Sequence, residues 1–282
     1  MKKRVITAIV YVAILVSFYA LKLFVSDYCF DGLVWLFAVI GTYEMARACS
    51  LTKVQKLLTI GFAAVNVPLF VAMDLWKQQG YFVMIGSMVA MCIIVVTSMI
   101  FDYQNTSLEQ VGKAVLTLIY PNLFLNFLVV INHMNHEGLL VMFPFAITPI
   151  TDVFAFTFGS KLHKKFPKKL APEISPNKTI VGGIGGIIGG VCASALLFFI
   201  WKFLFDSSLT YEKDLVAFLV MGFLIAVVTQ MGDLVESAVK RKAGIKDMGN
   251  CLPGHGGVLD RIDSSLYACL VTFIVFVLIS AI

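Results

Sequence analysis

Nine stretches of about 20 mostly apolar residues, each bounded by charges, glycine, proline or asparagine, constrain this chain more than any other feature. They lie near 5–25, 32–50, 55–75, 80–101, 112–132, 139–160, 180–205, 214–239 and 262–282. A helix of that length spans the ~30 Å hydrocarbon core of a bilayer, where the backbone must satisfy its own hydrogen bonds. With 59% of 282 residues hydrophobic and 14% charged, the chain carries more apolar surface than a soluble core can hide. A soluble enzyme, a disordered regulator and a secreted disulfide scaffold are excluded. The expected fold is an all-α polytopic membrane protein with about nine transmembrane helices.

The first stretch follows Lys2, Lys3 and Arg4, is too long for a signal-peptide core and is followed by no small-x-small cleavage site, so it reads as a retained helix. Cys29, Cys49, Cys92, Cys192, Cys251 and Cys269 are scattered singly, which suggests neither zinc nor a redox centre. Charge supplies the orientation. Nine crossings place 18 of the 22 Lys and Arg on one side and leave Lys22, Lys77, Lys202 and Lys213 on the other. Basic connections stay in the cytoplasm, so the N-terminus is expected there and the C-terminus outside. Most of the excess lies in two cytoplasmic loops, 161–179 and 240–261. The chain thus divides into residues 1–138, five crossings with little polar chemistry, and 139–282, a catalytic transmembrane region. The bilayer is the partner this composition implies, and nucleic acid is not.

Three constellations carry chemistry. In the eighth crossing Asp233, Glu236, Ser237, Lys240 and Arg241 share one helical face. Carboxylates at that depth mark a site facing the bundle interior or a wet cavity. The second is the run from Lys246 through Asp247, Gly249, Pro253, Gly254, His255, Gly256 and Gly257 to Asp260, Arg261 and Asp263. Its glycines suit close approach of the backbone to a ligand. Asp233, Asp260 and Asp263 offer hard oxygen ligands for magnesium, which binds through one or two carboxylates plus substrate phosphates. His255 is as much a structural residue as a catalytic one on this reading. The third is Ser175, Pro176, Asn177, Lys178 and Thr179 before the seventh crossing, where hydroxyls, an amide and a lysine at a helix N-terminus suit an anion. It is neither a Walker loop nor a dinucleotide fingerprint. Gly182, Gly186 and Gly190 form a small-residue packing face. Asn66, Asn122 and Asn126 read as interhelical hydrogen-bond residues, and Asp152 in the sixth crossing as a residue lining the same cavity.

The stretch from Ser237 through Lys240, Arg241, Lys246, Asp247, Gly249, Leu252, Pro253, His255, Gly256, Gly257, Val258, Asp260, Arg261 and Ile262 to Asp263 resembles the signature of phosphatidate cytidylyltransferases (CDP-diacylglycerol synthases). Ser175-Pro176-x-Lys178-Thr179 and Asp152-x-x-Ala155-Phe156-x-x-Gly159 resemble further features of that family, and Glu44 stands where it often has an acidic residue. Asn177 and Val181 depart from its usual lysine and glutamate. The resemblance implies transfer of CMP from CTP to phosphatidate, with release of pyrophosphate. It also implies magnesium, as one or two ions, on Asp233 and Asp260, and a homodimer in a bacterial inner membrane with the site on the cytoplasmic side. On this reading Asp233, Asp260, Asp263, Lys240, Arg241, His255 and Arg261 are catalytic. Ser175, Asn177, Lys178, Thr179, Ser237, Lys246, Asp247, Gly256, Gly257 and Asp152 bind substrate. Two alternatives remain: a CTP-dependent membrane enzyme acting on an isoprenoid or ether lipid, and an ion-coupled transporter, which would need a polar path through both leaflets.

Overall fold

The computed structural model describes residues 2–77, 80–101, 103–104, 106–134, 138–204, 210–252 and 256–280. Among them run nine helices: α1 (Lys2–Phe24), α2 (Asp27–Ala48), α3 (Lys53–Lys77), α4 (Gly80–Phe101), α5 (Leu108–Met134), α6 (Leu139–Leu162), α7 (Ile180–Leu204), α8 (Asp214–Lys242) and α9 (Leu259–Ser280). Helices α2 to α9 are each long and apolar enough to cross a bilayer, and the described apolar stretch of α1, Ile9–Phe24, is shorter. The protein is a multi-pass helical membrane protein, as its hydropathy dictates.

Two local features depart from the expectation. Helix α9 begins at Leu259, so Asp260 and Arg261 stand in its first turn rather than before it; an acidic residue there complements the positive end of the helix dipole. The loop 161–179 contains a hairpin of β1 (Lys169–Ala171) and β2 (Ser175–Thr179), with Lys169 opposite Thr179 and Ala171 opposite Ser175. Pro172 in the turn and Pro176 in a two-stranded edge sacrifice no central ladder bond, which is why prolines did not prevent pairing.

The chain forms two compact units. The first is Met1–His136 with Ala243–Arg261, and the second is Glu137–Lys242 with Ile262–Ile282. Residues 243–261, grouped with the C-terminal crossings on sequence, thus pack with the N-terminal helices.

In the first unit, polar groups close across helices because lipid offers them no partner. Pro68 lacks an N–H, so the carbonyl of Ala64 one turn earlier loses its helical donor. The indole N–H of Trp35 on α2 donates to that carbonyl at 3.0 Å. Asn66 donates to Asn126 at 3.0 Å, Ser87 donates to Asn66 at 2.7 Å, and Asn122 donates to Thr42 at 3.0 Å. These bonds tie α3 to α4 and α5, and α5 to α2, as the asparagines led us to expect. A second buried group joins Lys22 to Asp27, while Asp31 accepts Asn132 Nδ2 at 2.9 Å and meets His133 Nε2 at 2.6 Å.

The second unit is built on glycine. A Cβ added at Gly190 would stand 2.5 Å from Ala226 Cβ and 2.8 Å from Thr151 Oγ1, and one at Gly222 would stand 2.4 Å from Ser194 Cβ. A Cβ at Gly182 would stand 2.8 Å from the Ala155 carbonyl of α6, one at Gly186 would stand 3.1 Å from Gln230 of α8 and 3.2 Å from Ala155, and Gly185 and Gly189 admit the rings of Phe158 and Phe154. The packing face expected at every fourth residue is therefore present, with a second glycine face beside it. Phe143, Ile147, Phe198 and Ile225 are fully buried in the resulting core. Gly190→Val should destabilise this unit by roughly 1–3 kcal/mol or more through overpacking. Thermal unfolding in detergent checks this, and an unchanged midpoint would contradict the packing.

Candidate active site

The second unit encloses a cavity of about 660 Å³ walled by α6, the hairpin, the start of α7 and the middle of α8. Of the residues anticipated from sequence, Asp152, Asn177, Lys178, Thr179 and Asp233 line it. Strand β2 carries Lys178 to the wall, and the helical period of α8 brings Asp233 to meet it. Lys178 Nζ and an oxygen of Asp233 form an ion pair, with side chains 26% and 28% exposed. Both residues line the cavity, so a phosphate entering it can take the place of the carboxylate beside the lysine. Asp233 Oδ1 also accepts the hydroxyl of Ser237, one turn further along, at 3.3 Å.

Thr179 is buried, and its Oγ1 accepts the Gly182 N–H at 3.1 Å. It therefore caps α7, and its role in the cavity wall is to aim the helix N-terminus. Asn177 and Asp152 present exposed side chains at the rim. Ser175 is paired in the hairpin opposite Ala171 and is not among the lining residues. Sequence reasoning missed Gln230, His163 and Lys169 as lining residues. Gln230 donates to the carbonyls of Gly183 at 3.2 Å and Ala226 at 3.0 Å. Its signal was present, since it stands one turn before Asp233 on the same face.

Further along α8, Glu236 is fully buried, and its Oε2 accepts Lys240 Nζ at 2.6 Å. Among the described residues no donor reaches Glu236 Oε1, while the carboxyl of Asp263 interacts with Glu236 and lies within the field of Asp233. Gly232 lets α9 approach, because a Cβ there would stand 2.8 Å from the Tyr267 ring and 3.1 Å from the Asp263 carbonyl. Arg241 is exposed one residue beyond Lys240. The carboxylates of Asp233 and Asp263 are hard oxygen donors of the type magnesium takes. Among the described residues no group of three or more His, Cys, Asp or Glu is arranged to hold a metal. Magnesium bound chiefly by substrate phosphates and one or two carboxylates requires no such cage.

The first unit holds the rest of the glycine-rich stretch. Asp260 is buried, and its Oδ2 accepts the backbone N–H of Met248 at 2.8 Å and of Gly257 at 2.7 Å. Gly256 lies at φ +84°, a left-handed conformation suited to glycine. A Cβ there would stand 2.6 Å from Asp260 Oδ2. The close backbone approach predicted for a ligand is thus made, at Gly256 and Gly257, to the protein's own carboxylates. Lys246, Asp247 and Arg261 are exposed. His255, with Pro253 and Gly254, lies outside the described residues.

Residues 2–279 match the pattern of the family described as "Cytidylyltransferase family". The chain is similar to the phosphatidate cytidylyltransferase of Bacillus subtilis (strain 168), at 31% identity over 99% of this chain and 97% of the relative. It is similar to that of Rickettsia conorii at 31% identity over 74% of this chain and 86% of the relative. The Staphylococcus aureus (strain COL) protein of the same name is 32% identical over 68% of each chain. A match that runs from the first helix into the last, with a relative aligned at both ends, covers both units and the cavity: the chain belongs to the cytidylyltransferase family.

Proposed function

We infer that the chain transfers CMP from CTP to phosphatidate, giving CDP-diacylglycerol and pyrophosphate. What carries this reading is a cavity lined by a half-buried Lys178–Asp233 ion pair in a chain whose full-length relatives bear that activity. The isoprenoid, ether-lipid and ion-transport alternatives are not favoured, since the relatives named above share one activity. Membership of the family brings CTP and a lipid as the substrate pair.

A phosphate oxygen of phosphatidate attacks the α-phosphorus of CTP in line. A P–O bond forms there as the bond to the β-phosphate breaks, and pyrophosphate leaves. A phosphate monoester has its second pKa near ~6, so at neutral pH the nucleophile is already a dianion and no strong base is required. The difficulty is bringing two polyanions together. Lys178 neutralises phosphate oxygens at the cavity wall, and Lys240 and Arg241 on α8 are the further cations assigned to this task. Asn177 and Gln230 offer amides to orient the nucleotide, while Ala155, Phe156 and Leu170 make the wall partly apolar and limit water.

Magnesium is the proposed cofactor, with Asp233 and Asp263 in the second unit as carboxylates of the right donor type. When bound, such an ion stabilises charge on the triphosphate and the leaving pyrophosphate. The Lys and Arg distribution supports a site on the cytoplasmic side, and the bacterial sources of the relatives support the cell membrane as its location. The family resemblance supports a homodimer; a protomer mass by light scattering in detergent would refute it.

The test is purified protein with CTP, magnesium and phosphatidate, followed by mass detection of the liponucleotide. Formation of CDP-diacylglycerol, absent when phosphatidate is replaced by dolichol or an archaeal ether lipid, supports the reading. No liponucleotide with any lipid overturns it.

A further inference from the structure

The glycine-rich stretch is not held by Asp260 alone. Glu44, on α2, is 3% exposed, and backbone amides serve both of its carboxylate oxygens. Val258 N–H donates to Oε1 at 3.1 Å and Leu259 N–H donates to Oε2 at 2.8 Å. These are N–H groups at the start of α9, where a helix has no internal acceptors and its dipole favours an anion. One turn along α2, Arg47 Nη2 donates to the Met248 carbonyl at 2.9 Å. Met248 N–H is in turn held by Asp260.

The same carboxylate explains two signature glycines. A Cβ at Gly249 would stand 2.0 Å from Glu44 Oε1, and one at Gly257 would stand 2.4 Å from both oxygens. Neither is at positive φ, so the requirement is for space. Glu44 and Arg47 stand at i and i+3, on one face of α2, and grip the stretch at both ends of its fold.

We propose that Glu44 and Arg47 are positioning residues for the reaction: they fix Met248, Gly249 and residues 257–259 so that the neighbouring Lys246, Asp247, Asp260 and Arg261 are presented in one geometry. This rests on the function proposed above, but the contact itself does not. Substituting glutamine at 44 keeps the size, removes the charge and turns an N–H donor toward one of the two amides. Losing charged acceptors of this kind corresponds to about 10- to 100-fold per bond.

Glu44→Gln in the full-length protein is compared with wild type by hydrogen–deuterium exchange in nanodiscs and by steady-state kinetics. Exchange should rise about 10- to 100-fold, confined to 246–260. The kcat should fall about a hundredfold, and Glu44→Asp, which keeps the charge, should recover part of it. Gly249→Ala should reproduce both effects of Glu44→Gln with Glu44 intact. Wild-type exchange in Glu44→Gln overturns the proposal. So does unchanged kcat despite loosened exchange, and so does a rise spread evenly through α2 and α5, which would mark a purely structural role. If wild type itself makes no CDP-diacylglycerol, the functional reading fails instead, and the exchange result still decides whether the grip exists.

Discussion

Asp233→Asn should lower kcat for CMP transfer by about a thousandfold or more, the scale seen when a charge-stabilising group is removed from a reacting centre. The substitution is nearly isosteric. An amide oxygen can still accept the Ser237 hydroxyl, and α8 keeps its packing at Gly222 and Gly232. What disappears is the negative charge beside Lys178 and an anionic oxygen for a metal. The variant should therefore insert and unfold as wild type does, with turnover gone at any magnesium concentration. Turnover within tenfold of wild type would remove Asp233 from the chemistry. Ser237→Ala, by contrast, removes only a 3.3 Å bond to the same carboxylate and should cost no more than about tenfold.

Lys178→Ala is expected to act mainly through binding. A hydrogen bond to a charged group is worth about 1.5–3 kcal/mol, so kcat/KM for CTP should fall about 10- to 100-fold, chiefly by a rise in KM. The measurement is a titration of CTP at saturating phosphatidate. Unchanged KM with unchanged kcat would count against a phosphate role for this lysine. Because Lys178 and Asp233 touch, the two losses should not add. The double variant Asp233→Asn with Lys178→Ala should be little worse than Asp233→Asn alone, since neither partner then leaves the other as a stranded charge.

Much of the helix layout was legible because lipid permits few solutions. A window of apolar residues long enough to span hydrocarbon must be helical, and the expected stretches at 80–101 and 139–160 became Gly80–Phe101 and Leu139–Leu162. The asparagines were readable for the same reason: a buried amide in lipid finds a partner on the next helix. The short hairpin at Lys169–Ala171 and Ser175–Thr179 was not, since eight residues interrupted by prolines carry no period that distinguishes strand from loop. Within the site, charge next to apolar surroundings singles out Lys178 and Asp233 separately, but nothing in the sequence pairs them. A hydroxyl before a helix, such as that of Thr179, suits both an anion and a cap, and only the position of the Gly182 N–H separates the two.

Glu44 shows the limit most clearly. In the sequence it is an acid near the end of an apolar helix, more than two hundred residues from its partners Val258 and Leu259. Nothing local to either segment names the other. The chain's chemistry by itself determined that this protein lives in a bilayer, where it crosses, and which polar stretches repay attention, because those follow from hydrophobicity and helical period summed along the chain. Which carboxylate holds a loop and which lines a cavity was decided only by tertiary structure, because hydrogen bonds depend on positions to within a few tenths of an ångström, and those are set by packing between segments remote in the chain.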